Sequence, residues 1–243
     1  MKMYNLKKLL NTSNYKKSNH FYLNKPCFAI FIQNFKNYRL MKILGIGKNY
    51  VTQLEDIKTN KNNPKLIFSK PASSLVINGD IEYPSITNQL VYEVELVIKI
   101  GKQGKNINVE NANSYISEIA VGIDYTAKDL LNEARELKYA WDFAKGFDGA
   151  AVTSKFKSIA EFENLGNINF SLHINGKEVQ RGNTGFMIHN FGEIISYISK
   201  YMTLQPGDLI FTGTPPKGIG ENIKGDHLEL YVEGKPWLSF HIK

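Results

Sequence analysis

Tyr92-Glu93-Val94-Glu95-Leu96-Val97-Ile98-Lys99-Ile100 is the stretch whose reading decides the fold. Tyr92, Val94, Leu96, Ile98 and Ile100 fall on every second position, the period of a half-buried β-strand. Side chains two apart share a face, so Glu93 and Glu95 point the same way. Further on, Ile119-Ala120-Val121-Gly122-Ile123 is a second apolar run, closed by Asp124. A helix is expected from Thr126, with Asp129 completing a capping box and Leu130, Ala134 and Leu137 as its apolar stripe. Trp141-Asp142-Phe143-Ala144-Lys145-Gly146-Phe147-Asp148 follows. Two carboxylates on one strand face and a third at a strand end are oxygen donors of the kind that hold Mg²⁺ or Mn²⁺. A lysine nearby would stabilise developing negative charge. The competing reading is a solvated strand face, since Glu93, Glu95 and Lys99 are charged and in phase.

Four motifs occur in order: Glu93-x-Glu95, then Gly122-Ile123-Asp124-Tyr125-Thr126-Ala127-Lys128-Asp129, then Trp141-x-x-Ala144-Lys145-x-Phe147-Asp148, then Thr212-Gly213-Thr214-Pro215. In this order and spacing the chain resembles the fumarylacetoacetate hydrolase family, and within it the acylpyruvate hydrolase and oxaloacetate decarboxylase branch. The resemblance runs from about Met41 to the C-terminus. It implies that Glu93, Glu95 and Asp124 bind Mg²⁺ or Mn²⁺ and that Lys145 is catalytic. It also implies that Asn49, Tyr50, Lys70, Lys128, Gly213 and Thr214 lie near the substrate, with the threonine loop meeting the substrate carboxylate. Many short strands, turn glycines and few helices already indicate a mainly β fold of the α+β class. The resemblance sharpens this to a mixed β-sandwich roll that pairs as a homodimer.

The chain departs from the family pattern at two places. The related enzymes carry Gly-Arg-Asn-Tyr, then a histidine, then a glutamate three residues on, a pair that orients and deprotonates an attacking water. Here Lys48-Asn49-Tyr50 leads to Gln53 and Asp56. A glutamine amide has no useful basicity near neutral pH, although it can hold a water by hydrogen bonds. Asp56, or its neighbour Glu55, is left as the candidate base; the plain alternative is that Gln53 and Asp56 decorate a surface turn. Secondly, a glutamine that contacts substrate in many relatives is replaced by Leu131, with Asn132 beside it, and Lys128 stands where arginine is usual. Lys70, in Phe68-Ser69-Lys70-Pro71, is read either as a substrate contact or as a solvated lysine before a turn.

Composition bounds the rest. The 243 residues are 42% hydrophobic, and no apolar run reaches the length of a membrane span. The single cysteine, Cys27, excludes an internal disulfide and fits a reducing, cytoplasmic setting. The net charge of +7 is concentrated: residues 1–40 hold seven Lys and one Arg with no acid, while the remainder has 22 basic and 23 acidic residues. The near-neutral remainder gives no reason to expect nucleic-acid binding. Residues 1–40 are expected to be a disordered basic extension or sequence upstream of a natural start at Met41, and 41–243 the catalytic domain. Gly45-x-Gly47 lacks the third glycine and helix of a dinucleotide loop. Asn175-Gly176 predicts a hairpin. Asn190 and Glu193 predict a capped amphipathic helix to Met202. The five histidines have no ligand spacing, and there is no serine nucleophile elbow.

The function expected is a divalent-metal-dependent hydrolase that cleaves a C–C bond in an acylpyruvate-type 2,4-dioxo acid, giving pyruvate and a carboxylate. Its partner is a small 2-oxo acid. The alternatives are an oxaloacetate decarboxylase or keto–enol isomerase on the same scaffold, and a metal-binding protein with little catalysis.

Overall fold

The computed structural model describes residues 41–243, so the expectation for residues 1–40 lies outside the described residues. The strands in the first part are β1 (Ile43–Gly47), β2 (Leu66–Lys70), β3 (Leu75–Ile77), β4 (Leu90–Tyr92), β5 (Val94–Ile100), β6 (Ile116–Asp124), β7 (Thr126–Ala127), β8 (Ala151–Thr153) and β9 (Lys157–Ser158). The rest are β10 (Asn169–Ile174), β11 (Lys177–Asn183), β12 (Leu209–Phe211), β13 (Gly220–Asn222), β14 (His227–Val232) and β15 (Lys235–His241). An eight-stranded mixed sheet runs β2-β1-β12-β5-β6-β8-β3, with β9 attached to β6. A four-stranded antiparallel sheet, β11-β10-β14-β15, and a three-stranded one, β13-β4-β7, accompany it. This is the mainly β, mixed-sheet fold expected, with few helices. No helix among the described residues is long and apolar enough to cross a membrane.

The founding strand is interrupted. Pairing breaks at Glu93 between β4 and β5, where the Glu93 carbonyl instead accepts from Asp124 N–H at 2.9 Å. The strand is also not half-buried. Val94, Leu96 and Ile98 enter the large core, while Val97, 0% exposed, packs with Ile43, Ala120, Leu209 and Phe211 on the opposite face. Val97 is in phase with Glu93 and Glu95, so the solvated-face reading is overturned: the carboxylates project from a covered side of the sheet.

Two local expectations are realised. Asn175 and Gly176 take φ of 52° and 80° in the β10–β11 turn, the left-handed geometry of a two-residue hairpin. The helix Phe191–Tyr201 carries the full capping box of Asn190 and Glu193, and Ile194, Ile195 and Ile198 are buried. One expectation is corrected. The helix Lys128–Glu136 has no capping box, because Asp129 bonds to Thr87, Asn88 N–H and Leu130 N–H. Its buried residue is Leu131, whereas Leu137 is 50% exposed. The stripe reading failed because the helix packs chiefly on the short helix Asp142–Lys145, and in that position Leu131 rather than Leu137 is turned inward.

Candidate active site

Antiparallel pairing of β5 with β6 places Glu95 opposite Gly122, two residues from Asp124 at the β6 end. Lys145 closes the cluster from the short helix Asp142–Lys145. Its ammonium donates to Glu93 Oε2 at 2.7 Å and to Asp124 Oδ2 at 2.6 Å. Thr126 donates its hydroxyl to the same Glu93 oxygen at 3.0 Å, and Glu95 Oε2 accepts from Gly213 N–H at 2.8 Å. Gly213 takes φ of 98°, and a Cβ there would lie 2.7 Å from Asn49 Cβ. Only glycine lets the backbone turn its N–H onto Glu95 at this point.

Below the cluster, Lys70 Nζ lies 2.7 Å from Asp124 Oδ1 and donates to the carbonyls of Tyr125, Lys145 and Ala150 at 3.1, 2.6 and 2.8 Å. It is buried beneath the site and does not line it. Its role is to fasten Asp124 and the segment carrying Lys145, which corrects both the substrate-contact and the solvated-lysine readings. Burial pushes the Lys70 ammonium down to about 8, against the pull of Asp124. Burial acts to raise the Asp124 carboxyl, but Lys145 and Lys70 outweigh it and hold the group below its usual range. Burial likewise disfavours the Lys145 ammonium, yet Asp124 and Glu93 raise it overall, so Lys145 stays charged. Glu95 goes the other way: burial first, then Asp124 and Glu93, push its carboxyl well up.

The cluster forms the floor of a cavity of about 140 Å³. Leu66, Phe68, Val91, Leu131 and Trp141 supply apolar wall, and Lys48, Lys128 and Arg135 stand with it. Thr214 reaches the cavity while its hydroxyl donates to Val94 O at 2.9 Å. Lys128 and Thr214 thus border the cavity, and Gly213 contributes its N–H to Glu95.

Other expected residues are elsewhere. Asn49 is buried and fully engaged with backbone: it donates to the carbonyls of His189 and Thr212 and accepts from His189 N–H, each at 2.9 Å. Tyr50 is buried edge-on to Phe170 and faces a second cavity of about 330 Å³ with Phe186 and Pro215. Burial and the Glu95 charge push its phenol far up. Gln53 and Asp56 are exposed, on the turn and short helix Asp56–Asn60, and line neither cavity. The surface-turn reading describes their place: Leu54 beside them is 54% exposed, and the helix Asp56–Asn60 buries none of its residues. Asn132 is exposed and does not take the place of the missing glutamine; Leu131 makes that part of the wall apolar.

Sequence reasoning missed Gln180. It is 2% exposed, accepts from Val94 N–H at 3.0 Å, and donates to Thr214 Oγ1 at 2.9 Å and Pro215 O at 2.8 Å. One amide thus ties the backbone between Glu93 and Glu95 to the Thr214 loop. A polar residue at an inward position of a hairpin strand was the available signal. Thr126, Arg135 and the aromatic pair Phe68 and Trp141 were also missed.

The donor set suits a hard divalent cation. Glu95 is a buried carboxylate beside two others with one N–H as its partner, an arrangement that a cation would relieve. As arranged, no three acidic or histidine side chains among the described residues converge closely enough to ligate one ion, because Lys145 spans Glu93 and Asp124. Ion and ammonium would therefore share oxygens, and Lys145 must shift for Glu93 and Asp124 to turn toward a metal.

Glu93, Glu95, Asp124 and Lys145 thus form a carboxylate–ammonium cluster at the bottom of a small cavity that Lys48, Lys128 and Arg135 border. The chain belongs to the fumarylacetoacetate hydrolase family: residues 42–243 match the family model described as fumarylacetoacetate (FAA) hydrolase, C-terminal. It is 33% identical over 195 residues to the mitochondrial oxaloacetate decarboxylase of Dictyostelium discoideum, covering 79% of this chain and 89% of that one. It is 32% identical over 202 residues to a mitochondrial oxaloacetate tautomerase of Mus musculus, covering 83% and 91%. The crystal structure of fumarylpyruvate hydrolase from Pseudomonas aeruginosa in complex with Mn²⁺ and pyruvate superposes with a TM-score of 0.76 at 31% identity, covering 84% of this chain and 89% of that one. The protein is an enzyme of this family, whose members among these relatives are hydrolases, decarboxylases and tautomerases.

Proposed function

We propose that the protein is a divalent-metal-dependent enzyme acting on 2-oxo acids of the oxaloacetate class, by decarboxylation or keto–enol conversion. The observation that carries this is the cavity's chemistry: charged Lys145 stands over Glu93 and Asp124, while no histidine lines the cavity and Gln53 and Asp56 lie outside it. Hydrolysis needs a base to activate water. Decarboxylation does not, since the electron pair of the broken C–C bond passes into the adjacent keto group; keto–enol conversion moves a proton off the carbon beside that group and does need an acceptor, so the missing base favours decarboxylation over it as well. Held by Glu93, Glu95 and Asp124, Mg²⁺ or Mn²⁺ would polarise the keto and carboxylate oxygens of a 2-oxo acid. Lys145, kept as an ammonium, supplies positive charge where negative charge develops. Phe68, Leu131 and Trp141 exclude water from that charge, which strengthens the interaction. Likeness to the Pseudomonas fumarylpyruvate hydrolase supports a second reading, hydrolysis of an acylpyruvate.

The test is turnover of oxaloacetate and of an acylpyruvate with Mn²⁺ and with chelator, by the full chain and by Lys145→Met. Oxaloacetate should be consumed only with metal, and K145M should lose at least about a hundredfold in kcat, the scale of a lost electrostatic contact to developing charge. The same variant should bind Mn²⁺ at least as tightly as the parent, because the competing ammonium is gone. Faster metal-dependent pyruvate release from the acylpyruvate than from oxaloacetate would overturn the decarboxylase and tautomerase reading in favour of the hydrolase.

A further inference from the structure

The cavity's outer residues differ in sign from its floor. Lys48, Lys128 and Arg135 all border it, and none of the three makes an ion pair among the described residues. Lys128, Leu131 and Arg135 are spaced three and four apart on one helix and all reach the cavity. The face they form is cation, apolar, cation, with no neutral donor between. Glu133 and Glu136, the acids that would pair with such cations on an ordinary surface helix, are exposed and unengaged with them. The Arg135 guanidinium lies over the Trp141 ring, 5.3 Å from its centroid, and Trp141 is itself cavity wall. Stacking on that ring orients the planar fork without using its N–H donors. Lys48 comes from a different segment, just after β1, and is held at φ of 56°.

We propose that Arg135 is a specificity residue that binds a second carboxylate, at the end of the substrate remote from its 2-oxo acid group, with Lys128 and Lys48 adding to the field. The orientation of the substrate rests on the function proposed above; the selectivity does not. The substrate class is then short 2-oxo dicarboxylic acids rather than 2-oxo acids with an apolar tail. A guanidinium fork matches a carboxylate with two parallel hydrogen bonds, which an ammonium cannot do. Leu131 narrows the choice further: where a glutamine amide would hydrogen-bond a neutral oxygen, leucine offers nothing, so polar recognition at this wall falls to charge.

The test uses two ligand pairs, each differing by a terminal carboxylate in place of a methyl: oxaloacetate against 2-oxobutyrate, and 2-oxoglutarate against 2-oxopentanoate. Dissociation constants for 2-oxoglutarate and the two monoacids are measured by calorimetry on the Mn²⁺-supplemented full chain, for the parent, Arg135→Gln and Arg135→Lys; oxaloacetate is compared through its KM where it is turned over and by calorimetry where it is not. The parent should prefer at least one diacid over its partner. R135Q should weaken that diacid by about tenfold to a hundredfold, the scale of a charge-assisted hydrogen bond, and leave the monoacid within about twofold. R135K should recover part of the loss. A parent that binds neither diacid better than its monoacid overturns the proposal, as does an R135Q that weakens both members of a pair alike. Diacid preference that depends on Arg135 without oxaloacetate turnover would overturn the proposed activity and leave this assignment standing.

Discussion

Replacing Gln180 by leucine tests whether one buried amide holds the carboxylate strand and the threonine loop together. The substitution keeps the volume and removes both polar atoms. Val94 N–H and the Pro215 carbonyl then lose their partners at 3.0 and 2.8 Å, in a region that water does not reach. Thr214 is less affected, because its hydroxyl still donates to Val94 O. Leaving a buried backbone group unsatisfied costs about 1–3 kcal/mol, so the two together amount to roughly 2–6 kcal/mol. For a domain of this size that is a fall in Tm of about 4–24 °C, at about 2–4 °C per kcal/mol. Urea and thermal melts measure it. The loop should also relax, so KM for a 2-oxo acid should rise more than kcat falls. Gln180→Glu serves as the comparison: it keeps an acceptor for Val94 N–H but sets a carboxylate against the Pro215 carbonyl. A Q180L loss below about 1 kcal/mol with KM unchanged would refute the reasoning, because the two backbone groups must then have found other partners.

Two further predictions concern buried ionisable groups. Lys70→Met removes the cation under Asp124 and strands three carbonyls, and should cost about 3–5 kcal/mol, the range for breaking one side of a buried pair; a loss under about 1 kcal/mol in urea unfolding would mean that the site is open to water. His189 is buried, and burial, with Lys65 and Lys61 nearby, lowers its imidazole to about 4. The unfolded chain therefore takes up this proton first, so stability is fully present above about pH 6.5 and falls toward pH 4, by at most about 1.4 kcal/mol per unit. His189→Asn should flatten the stability profile in that window; an unchanged slope would show that the imidazole is protonated in the folded protein.

Much of the fold was legible because its signals are local. Alternation over Tyr92–Ile100, the Asn175-Gly176 turn and the Asn190 and Glu193 cap each depend on residues within a few positions, and steric and hydrogen-bonding preferences act at that range. The order of four motifs was enough to select the family, and with it the three carboxylates and Lys145 as candidates. The sequence by itself thus determined which residues carry charge at the centre and which secondary structures present them.

What the tertiary structure decided depends on contacts between distant positions. Asn49 meets Thr212 across 163 residues, Gln180 meets Val94 across 86, and Lys70 reaches Ala150 across 80. No local pattern marks these three as fasteners rather than substrate contacts or surface residues. Nor could periodicity show that Val97 would be covered on the carboxylate face, that Leu131 rather than Leu137 would turn inward, or that Gln53 and Asp56 would stay in solvent. Burial is a property of what packs against a face. A residue's chemistry is written in the chain, but its dielectric surroundings and its partners exist only once the sheets have closed.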